Sequence, residues 1–511
     1  MPILATTVSL IDWSIVIAFL IGVVAFGLWV GRKKTEGKDF FLAGRNIPAW
    51  AAAISLVATA LSAATFIGGP AESFGGNLSY LILNIGSILG GILAALWLIP
   101  AAYKAGGTTI YGLLGTRFGP SAQTAAGLSF LAGRLLASGA RHFITGVAFS
   151  AIVFGDMEKA HLIPSILITG VLGTLYAAKG GVKAVIWTDI LLFAVLMASV
   201  GACVWVIWRD IPVDAATVVR EMEAAKKLTL LDWSWDWSNA YTVWAALAST
   251  LFYAALYGAD QDLAQRMLTC RSPQAASKSL IMGVIAGLPL NMLFLCLGVA
   301  LWVYYKRPDL MGTHAPTDPL VREAQVFPQF IREHLPVGFK GLAIAGLFAC
   351  SLGSLASAIS AMASSAWNDL NQIPSIGRLT AKASPRGASL WTGAALTGVA
   401  VLCALVYDPE KDSLIKFALK VMTFAATGLL GVFMAALWTK RGNAKSVICA
   451  FIAGAGVAGT LYFVNVVPME KDGKMIFLPL AFPWVMALGT LAAFAVCIAE
   501  KGDSQKPTLP A

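Results

Sequence analysis

The chain has 511 residues, of which 58% are hydrophobic and only 13% charged, and its mean hydropathy is +0.75. A soluble globular protein of this size does not have such a composition, so these values predict a polytopic protein of the lipid bilayer. The net charge of +10 argues little for a nucleic-acid partner, because the basic residues are spread over short loops rather than gathered in one stripe. We attribute the charge to membrane topology.

Long uncharged or nearly uncharged runs recur along the whole chain and predict about thirteen transmembrane helices. They cover residues 10–30, 49–70, 80–103, 125–154, 163–178, 184–208, 241–259, 280–304, 341–366, 388–406, 414–438, 447–467 and 477–499. Six of the seven cysteines fall inside these runs, so no external disulfide framework is expected.

The second run, 49–70, has the wrong composition for a helix that only anchors the chain. Its centre is made of Ala, Ser and Thr, and it closes on Gly68-Gly69-Pro70. Small residues favour close helix packing, and the glycine and proline residues predict a local break. A broken helix is tolerated in a membrane where its free carbonyls line a cavity, and such carbonyls bind sodium ions. This run therefore predicts a transporter.

The basic residues also predict the orientation of a single transmembrane domain, 1–511, in the plasma (bacterial inner) membrane. Short loops are richest in Lys and Arg if the amino terminus lies outside and the carboxyl terminus in the cytoplasm. After a leading helix at 10–30, two groups of five spans, 49–208 and 241–438, follow, and two trailing helices occupy 447–499. An odd number of spans inverts the second group relative to the first, as in inverted-repeat transporters.

Two arginines lie deep inside the apolar run 125–154. Each costs about 2.5–3.5 kcal/mol at the bilayer centre if it faces lipid, so both must face protein or water. The spacing i, i+7 places Arg134 and Arg141 on one helix face, and their planar forks suit a carboxylate. The alternative is structural, with an arginine paired to a buried acid. For the adjacent His142, a hydrogen-bonded core histidine is the favoured interpretation.

Five short motifs resemble those of the sodium:solute symporter family, which includes sodium-coupled sugar, proline, sialic acid and monocarboxylate transporters. The motifs occur in the family's order, within about 39–438. They are DFFLAGR at 39–45, TRFG at 116–119, GG leading to WTD at 180–189, QDLAQR at 261–266 and GSLAS at 353–357. The resemblance implies an all-α, leucine-transporter-type fold with a 5+5 inverted repeat, one leading helix and two trailing helices.

The resemblance also implies a sodium site between the first and eighth core helices. By position, its ligands are the backbone carbonyls of Ala58, Leu61 and Cys350 and the hydroxyl of Ser354. Neutral carbonyl and hydroxyl oxygens suit sodium, a hard cation that has to be released again.

One expected sodium ligand is missing from the chain. The family usually has a second hydroxyl where this sequence has Gly353, so the site is weaker, is completed by Ser351 or water, or takes another coupling ion. The resemblance places Asp189 in a second sodium site or in the release path, near Ser354 and Ser357. A structural role for Asp189 at the membrane interface and small-residue helix packing at 353–357 are the alternatives.

Matching family positions add further candidates for the substrate site. They are Thr65, Phe66, Asn84, Ser87, Phe252, Tyr253 and Tyr257. Where sugar carriers tend to have polar side chains, this chain has Ala60, Ala64 and Ala418, which argues against a sugar. Lys416 and Lys420 add positive potential near the predicted entrance, although snorkelling explains them equally well.

The sequence thus predicts a sodium-coupled symporter that imports a small organic solute, with an anion such as a carboxylate as the working hypothesis. A sodium/amino-acid (proline-like) symporter, a sugar symporter and a proton-coupled relative are the alternatives. An enzyme is not expected, because the spans offer only Asp189 and His142 as obvious acid–base groups. The sequence predicts no oligomeric state.

Overall fold

The computed structural model describes residues 8–32, 37–156, 158–316, 325–370, 384–406, 427–471 and 474–502. Most of these residues are helical. The α-helices are α1 Leu10–Val30, α2 Lys38–Leu42, α3 Ala49–Ala60, α4 Ala63–Gly75, α5 Leu83–Leu93, α6 Ile99–Lys104, α7 Gly112–Phe118, α8 Pro120–Val153, α9 Lys159–Asp210, α10 Ala215–Ala224, α11 Val243–Gly258, α12 Gln261–Leu268, α13 Pro273–Lys306, α14 Pro308–Met311, α15 Val326–Glu333, α16 Phe339–Asn368, α17 Pro385–Val406, α18 Thr427–Trp438, α19 Ala444–Phe463 and α20 Phe482–Ala499.

Short segments of other helix types join some of these elements. Leu78–Ile82 is a 3₁₀-helix, and Ala94–Leu98 is a π-helix between α5 and α6, so one nearly continuous helical stretch runs over Leu78–Lys104. Two predicted spans, 163–178 and 184–208, lie in the single helix α9. That helix bends at Gly181, whose φ of 59° is a backbone conformation that favours glycine.

Nine helices of the described residues are long and apolar enough to cross a membrane, or ten if the bent pair α3 and α4 is one span. Three shorter apolar helices, Lys159–Leu175, Val243–Gly258 and Thr427–Trp438, lie in further predicted spans. The polytopic architecture is confirmed. The number thirteen, and the limits of the two inverted groups, stay predictions.

The predicted spans 447–467 and 477–499 differ from the observed helices at the end of the first span and at the start of the second. Strand β1, Val467–Lys471, pairs antiparallel with strand β2, Lys474–Leu478, with Val467 opposite Leu478. The prediction of helix at these ends was therefore wrong, because the hydropathy of a short apolar strand resembles that of a helix end.

Helix α16 lies at the centre of the molecule, and 89% of its most apolar 18-residue segment is buried. It packs against α3, α8, α9 and α1. The other face of the broken pair is covered by α13, which packs on both α3 and α4, while α11 packs on α5. This arrangement brings the break between α3 and α4 next to α16 and α9.

Candidate functional site

The backbone leaves the helical conformation between α3 and α4, where two residues are extended. Leu61 has φ −74° and ψ 136°, Ser62 has φ −142° and ψ 173°, and the two helices meet at 64°. A helix that ends here leaves its last carbonyls, from Ala58 onward, without amide partners in the next turn. Inside a membrane protein such carbonyls face a cavity or an ion.

The predicted break is present, but its position was wrong. Gly68, Gly69 and Pro70 lie within α4 rather than between helices. A Cβ atom on Gly298 of α13 would lie only 2.1 Å from the carbonyl oxygen of Pro70, so the two helices are almost in backbone contact there. Small residues in this part of α4 thus serve close helix packing.

Asp189 of α9 lies beside the broken helix and is fully buried. Ser55 donates a hydrogen bond of 2.5 Å to its Oδ2 atom, whereas Oδ1 has no hydrogen-bond partner among the described residues. A Cβ atom built on Gly353 would lie 3.4 Å from Oδ1 and 3.7 Å from the carbonyl oxygen of Ala58. A buried carboxylate oxygen, a free carbonyl and the bare backbone of α16 therefore surround one small space. Oxygen donors of this kind fit sodium.

The other proposed ligands lie on the same part of α16. Cys350 precedes Ser354 by one turn, so the Cys350 carbonyl and the Ser354 side chain share a helix face. The Ser354 hydroxyl donates to the carbonyl of Ser351 at 3.1 Å, which leaves its oxygen able to bind a cation. The Ser351 hydroxyl donates to Leu347 at 2.8 Å in the same helix.

The surroundings of Ser357 do not suit its predicted role as a sodium ligand. Its hydroxyl accepts a hydrogen bond from the Arg266 guanidinium and bonds the Thr59 hydroxyl at 2.9 Å. A guanidinium next to this oxygen repels a cation. We therefore correct the expected ligand set and leave Ser357 out of it.

A cavity of about 210 Å³ opens on the other side of the break. Seven of the nine predicted substrate residues line it, together with Leu61 and Ser62. The seven are Thr65, Asn84, Ser87, Arg141, Phe252, Tyr253 and Tyr257. Two further contacts hold polar side chains of the wall in place: Asn291 donates to Asn84 at 3.0 Å, and the hydroxyls of Ser87 and Tyr257 lie 2.8 Å apart.

Phe66 is absent from the cavity wall, contrary to its predicted role. Its side chain is fully buried on the other face of α4. Its ring packs against Phe294 and Phe327, with centroids 6.1 Å and 5.0 Å away. Phe66 therefore supports the helix rather than contacting a solute in the cavity.

Arg134 is also absent from the cavity wall, and here the structural alternative applies. Its Nη2 atom lies 2.9 Å from Asp260 and 2.8 Å from Asp262, at the start of α12. Asp262 is shared with the buried Arg266, 3.6 Å away. Both acids lie outside the apolar spans, so hydropathy does not identify them as partners of Arg134.

His142 is a satisfied core histidine, as favoured from the sequence. It is buried, and its Nε2 lies 3.0 Å from the carbonyl oxygen of Ile166. Because a carbonyl only accepts, Nε2 is the donor in this contact. His142 thus fixes α8 against α9.

Arg141 lines a second, smaller cavity as well as the large one. Its neighbours there include the hydroxyls of Ser138, Thr145, Ser351 and Ser354. Arg141 therefore lies between the large cavity and the part of α16 that carries the candidate ion ligands.

Four polar residues of the large cavity were not predicted from the sequence: Ser62, Glu72, Tyr80 and Asn291. Glu72 follows Thr65 by seven residues, a spacing that places both on one face of α4. Asn291 is an isolated amide in an otherwise apolar span, which is the signal that could have identified it. Ala60 and Ala64 line the cavity as predicted, whereas Ala418, Lys416 and Lys420 lie outside the described residues.

Comparison with known proteins places this chain among membrane transporters. A model of the sodium:solute symporter family matches residues 40–454. The human sodium/iodide cotransporter is 27% identical over 467 residues, which cover 88% of this chain and 69% of that protein. The sodium/sialic acid symporter NanT of Aliivibrio fischeri is 27% identical over 455 residues, which cover 88% of this chain and 87% of NanT.

The fold is also similar to that of a solved structure. A sodium-coupled sialic acid symporter, in a substrate-bound outward-open state, matches with a TM-score of 0.80 and 21% identity over 96% of this chain and 97% of that one. The predicted all-α, leucine-transporter-type fold is thereby confirmed.

Proposed function

Because the chain belongs to the sodium:solute symporter family, we propose that it imports a small organic anion, such as a carboxylate, together with sodium by alternating access. The observation that carries this proposal is the position of Arg141. Among the described residues it is the only lysine or arginine that lines the large cavity. Its guanidinium offers a planar fork of donors that matches a carboxylate.

Two positions in the cavity argue against a neutral sugar. Ala60 and Ala64 line it, and neither can bond to the hydroxyl groups of a sugar. The similar proteins named above are described as carrying iodide and sialic acid, which are both anions. Arg141 suits such cargo, since a guanidinium is charged at every physiological pH.

For the coupling ion we propose a site formed by Asp189, the carbonyls of Ala58, Leu61 and Cys350, and the hydroxyl of Ser354. The buried Oδ1 atom of Asp189, which has no hydrogen-bond partner in the described part of the chain, supports this assignment. An ionised carboxylate buried in a membrane protein is costly unless a cation compensates it.

The break in the first core helix links the ion to the substrate. Leu61 is a proposed ion ligand, and it also lines the large cavity with its neighbour Ser62. Sodium bound at the break therefore orders one wall of the cavity before the solute arrives. Each sodium ion that moves down the membrane potential supplies about 2.3 kcal/mol per 100 mV, in addition to its concentration gradient.

We further propose that the protein lies in the plasma (bacterial inner) membrane with its amino terminus outside, and that 49–208 and 241–438 form the two inverted groups. The excess of basic residues in the predicted cytoplasmic loops supports this orientation. Under this assignment, sodium and solute both enter from outside.

Uptake into proteoliposomes tests the proposal. Labelled carboxylates, amino acids and sugars are offered in turn with an imposed sodium, lithium or proton gradient. We expect carboxylate uptake driven by sodium, loss of that uptake in Arg141→Gln, and partial uptake in Arg141→Lys, which retains the charge but not the fork. Full carboxylate uptake by Arg141→Gln would contradict the anion assignment, and uptake driven only by protons would contradict sodium coupling.

A further inference from the structure

A second charged residue lines the large cavity at some distance from Arg141. Glu72 lies near the carboxyl end of α4 and shares a helix face with Thr65. Seven residues separate them, which at 1.5 Å per residue is about 10 Å along the helix axis. The carboxylate of Glu72 is therefore far along α4 from the break at Leu61 and Ser62.

Tyr80 lines the same cavity as Glu72, and its ring centroid lies 5.4 Å from that of Tyr241. No ion pair involves Glu72 within the described part of the chain. The nearby ammonium of Lys227 is held by the carbonyls of Phe74 and Gly76, at 2.7 Å from each.

Aromatic rings line the same cavity. They belong to Tyr80, Phe252, Tyr253, Tyr257, Phe294 and Phe482. The face of an aromatic ring attracts an ammonium or trimethylammonium group, and the attraction increases when water is excluded. A carboxylate together with several rings is thus a suitable environment for a cationic group of a solute.

Arg141 is the basic residue of the same cavity. Through the smaller cavity it adjoins Ser354, beside the proposed ion site, whereas Glu72 lies beyond Thr65 on α4. The cavity therefore has a basic group near the break and an acidic group farther along, with aromatic rings in its wall. An α-amino acid carries its ammonium and carboxylate groups on the same carbon atom, so its two charges lie closer together than those of an ω-amino acid.

We propose that the preferred solute is an extended zwitterion, a carboxylate whose cationic group is several bonds away, as in an ω-amino or ω-trimethylammonio acid. This inference rests on the proposed function, since it keeps the carboxylate on Arg141 and adds the cation on Glu72. Glu72 is then a specificity-determining residue.

Binding of a matched pair of probes tests the inference. The purified protein in detergent with saturating sodium is titrated with 6-aminohexanoate and with hexanoate, which differ only in the terminal ammonium, and with glycine. We expect 6-aminohexanoate to bind at least about tenfold more tightly than hexanoate, which corresponds to about 1.4 kcal/mol. Glycine should bind more weakly than 6-aminohexanoate.

Two variants assign that preference to Glu72. In Glu72→Gln the preference for 6-aminohexanoate should disappear while hexanoate affinity is retained, which also shows that the variant is folded. Arg141→Gln should weaken both probes equally.

The outcomes separate this inference from the proposed function. Equal affinity for the two probes in the unmodified protein, with a clear loss in Arg141→Gln, would overturn the zwitterion and leave the carboxylate symporter intact. A Glu72→Gln variant that loses sodium affinity but keeps the preference would also overturn it, because Glu72 would then attract the ion. Binding of hexanoate that does not depend on Arg141 would contradict the proposed function itself.

Discussion

The side chain of Asp12 accepts a hydrogen bond of 2.7 Å from the backbone N–H of Gly341. The same Oδ1 atom accepts from the N–H of Gly338 at 2.8 Å. Gly338 is the N-cap residue of α16 and Gly341 lies in its first turn, where the backbone amides have no partners within the helix. The leading helix α1 thus supplies the amino-terminal cap of the helix that carries Cys350 and Ser354, and it does so across 329 residues of sequence.

Asp12→Ala should therefore destabilise the protein although Asp12 lies far from the cavity. It leaves buried amides without an acceptor, which costs about 1–3 kcal/mol. Thermal unfolding in detergent measures the loss, and sodium titration should show weaker binding because α16 is less firmly held. Ser14→Ala is the matched control, since its hydroxyl only donates to Ile11 within α1. An unfolding midpoint equal to that of the control would show that the cap contributes nothing.

Asp189→Asn should weaken sodium binding at least about tenfold, a change of about 1.4 kcal/mol. The substitution keeps the shape of the side chain and the contact with Ser55 but removes the negative charge. Binding of radioactive sodium to the purified protein gives the affinity. Ser55→Ala serves as the comparison, and its effect should be smaller because it removes only the hydrogen bond that orients the carboxylate. If both variants bind sodium like the unmodified protein, Asp189 is not a ligand.

Gly353→Ser should strengthen sodium binding. A Cβ atom at this position meets Asp189 Oδ1 and Leu192 at 3.4 Å, which is ordinary van der Waals contact, so the Cβ atom of a serine is accommodated. The serine oxygen would be an additional ligand beside Ala58. Gly353→Ala adds the Cβ without the hydroxyl and should leave sodium affinity unchanged or slightly lower. Equal affinities for the two variants would place the ion elsewhere.

Arg134→Gln should reduce stability by up to about 3–5 kcal/mol, because it leaves the half-buried Asp260 carboxylate without its cation and the buried Asp262 carboxylate with only Arg266, 3.6 Å away. Asp260→Asn added to this variant should restore part of the loss. The exposed pair of Arg209 and Asp210, 2.8 Å apart, is the control. Arg209→Gln should cost less than about 1 kcal/mol. Thermal unfolding is measured for these variants, for Asp260→Asn alone and for the unmodified protein. A double variant as unstable as the sum of its two single changes would refute the pairing.

The positions of the helices and of most cavity residues follow from local sequence. Hydropathy identifies the spans, and Thr65, Asn84 and Tyr257 lie on the cavity wall where the family pattern predicts them. The break was also foreseen from the composition of 49–70, but not its position. A small residue permits either a break or close packing, and the neighbour that decides between them, Gly298, lies more than two hundred residues away.

The two arginines show why the contacts of individual site residues could not be predicted from the sequence. Helical spacing correctly places Arg134 and Arg141 on a common helix face. It does not show which residues contact that face beside each arginine. The partners of Arg134 come from a segment 126 residues later, so Arg134 is neutralised while Arg141 lines the cavity. Likewise, Ser357 shares the helix face of Ser354, but Arg266 from α12 gives it a different role.

The extended backbone at Leu61 and Ser62 has a consequence for genetic studies of this protein. Carbonyl oxygens belong to every residue type, so replacing the side chains of Ala58, Leu61 or Cys350 leaves three of the five proposed sodium ligands chemically intact. A scan of single substitutions would detect only Asp189 and Ser354 and would underestimate the size of the site. Replacing individual amide bonds by esters, which weakens the carbonyl as a donor to the ion, is the chemistry that makes the other three visible.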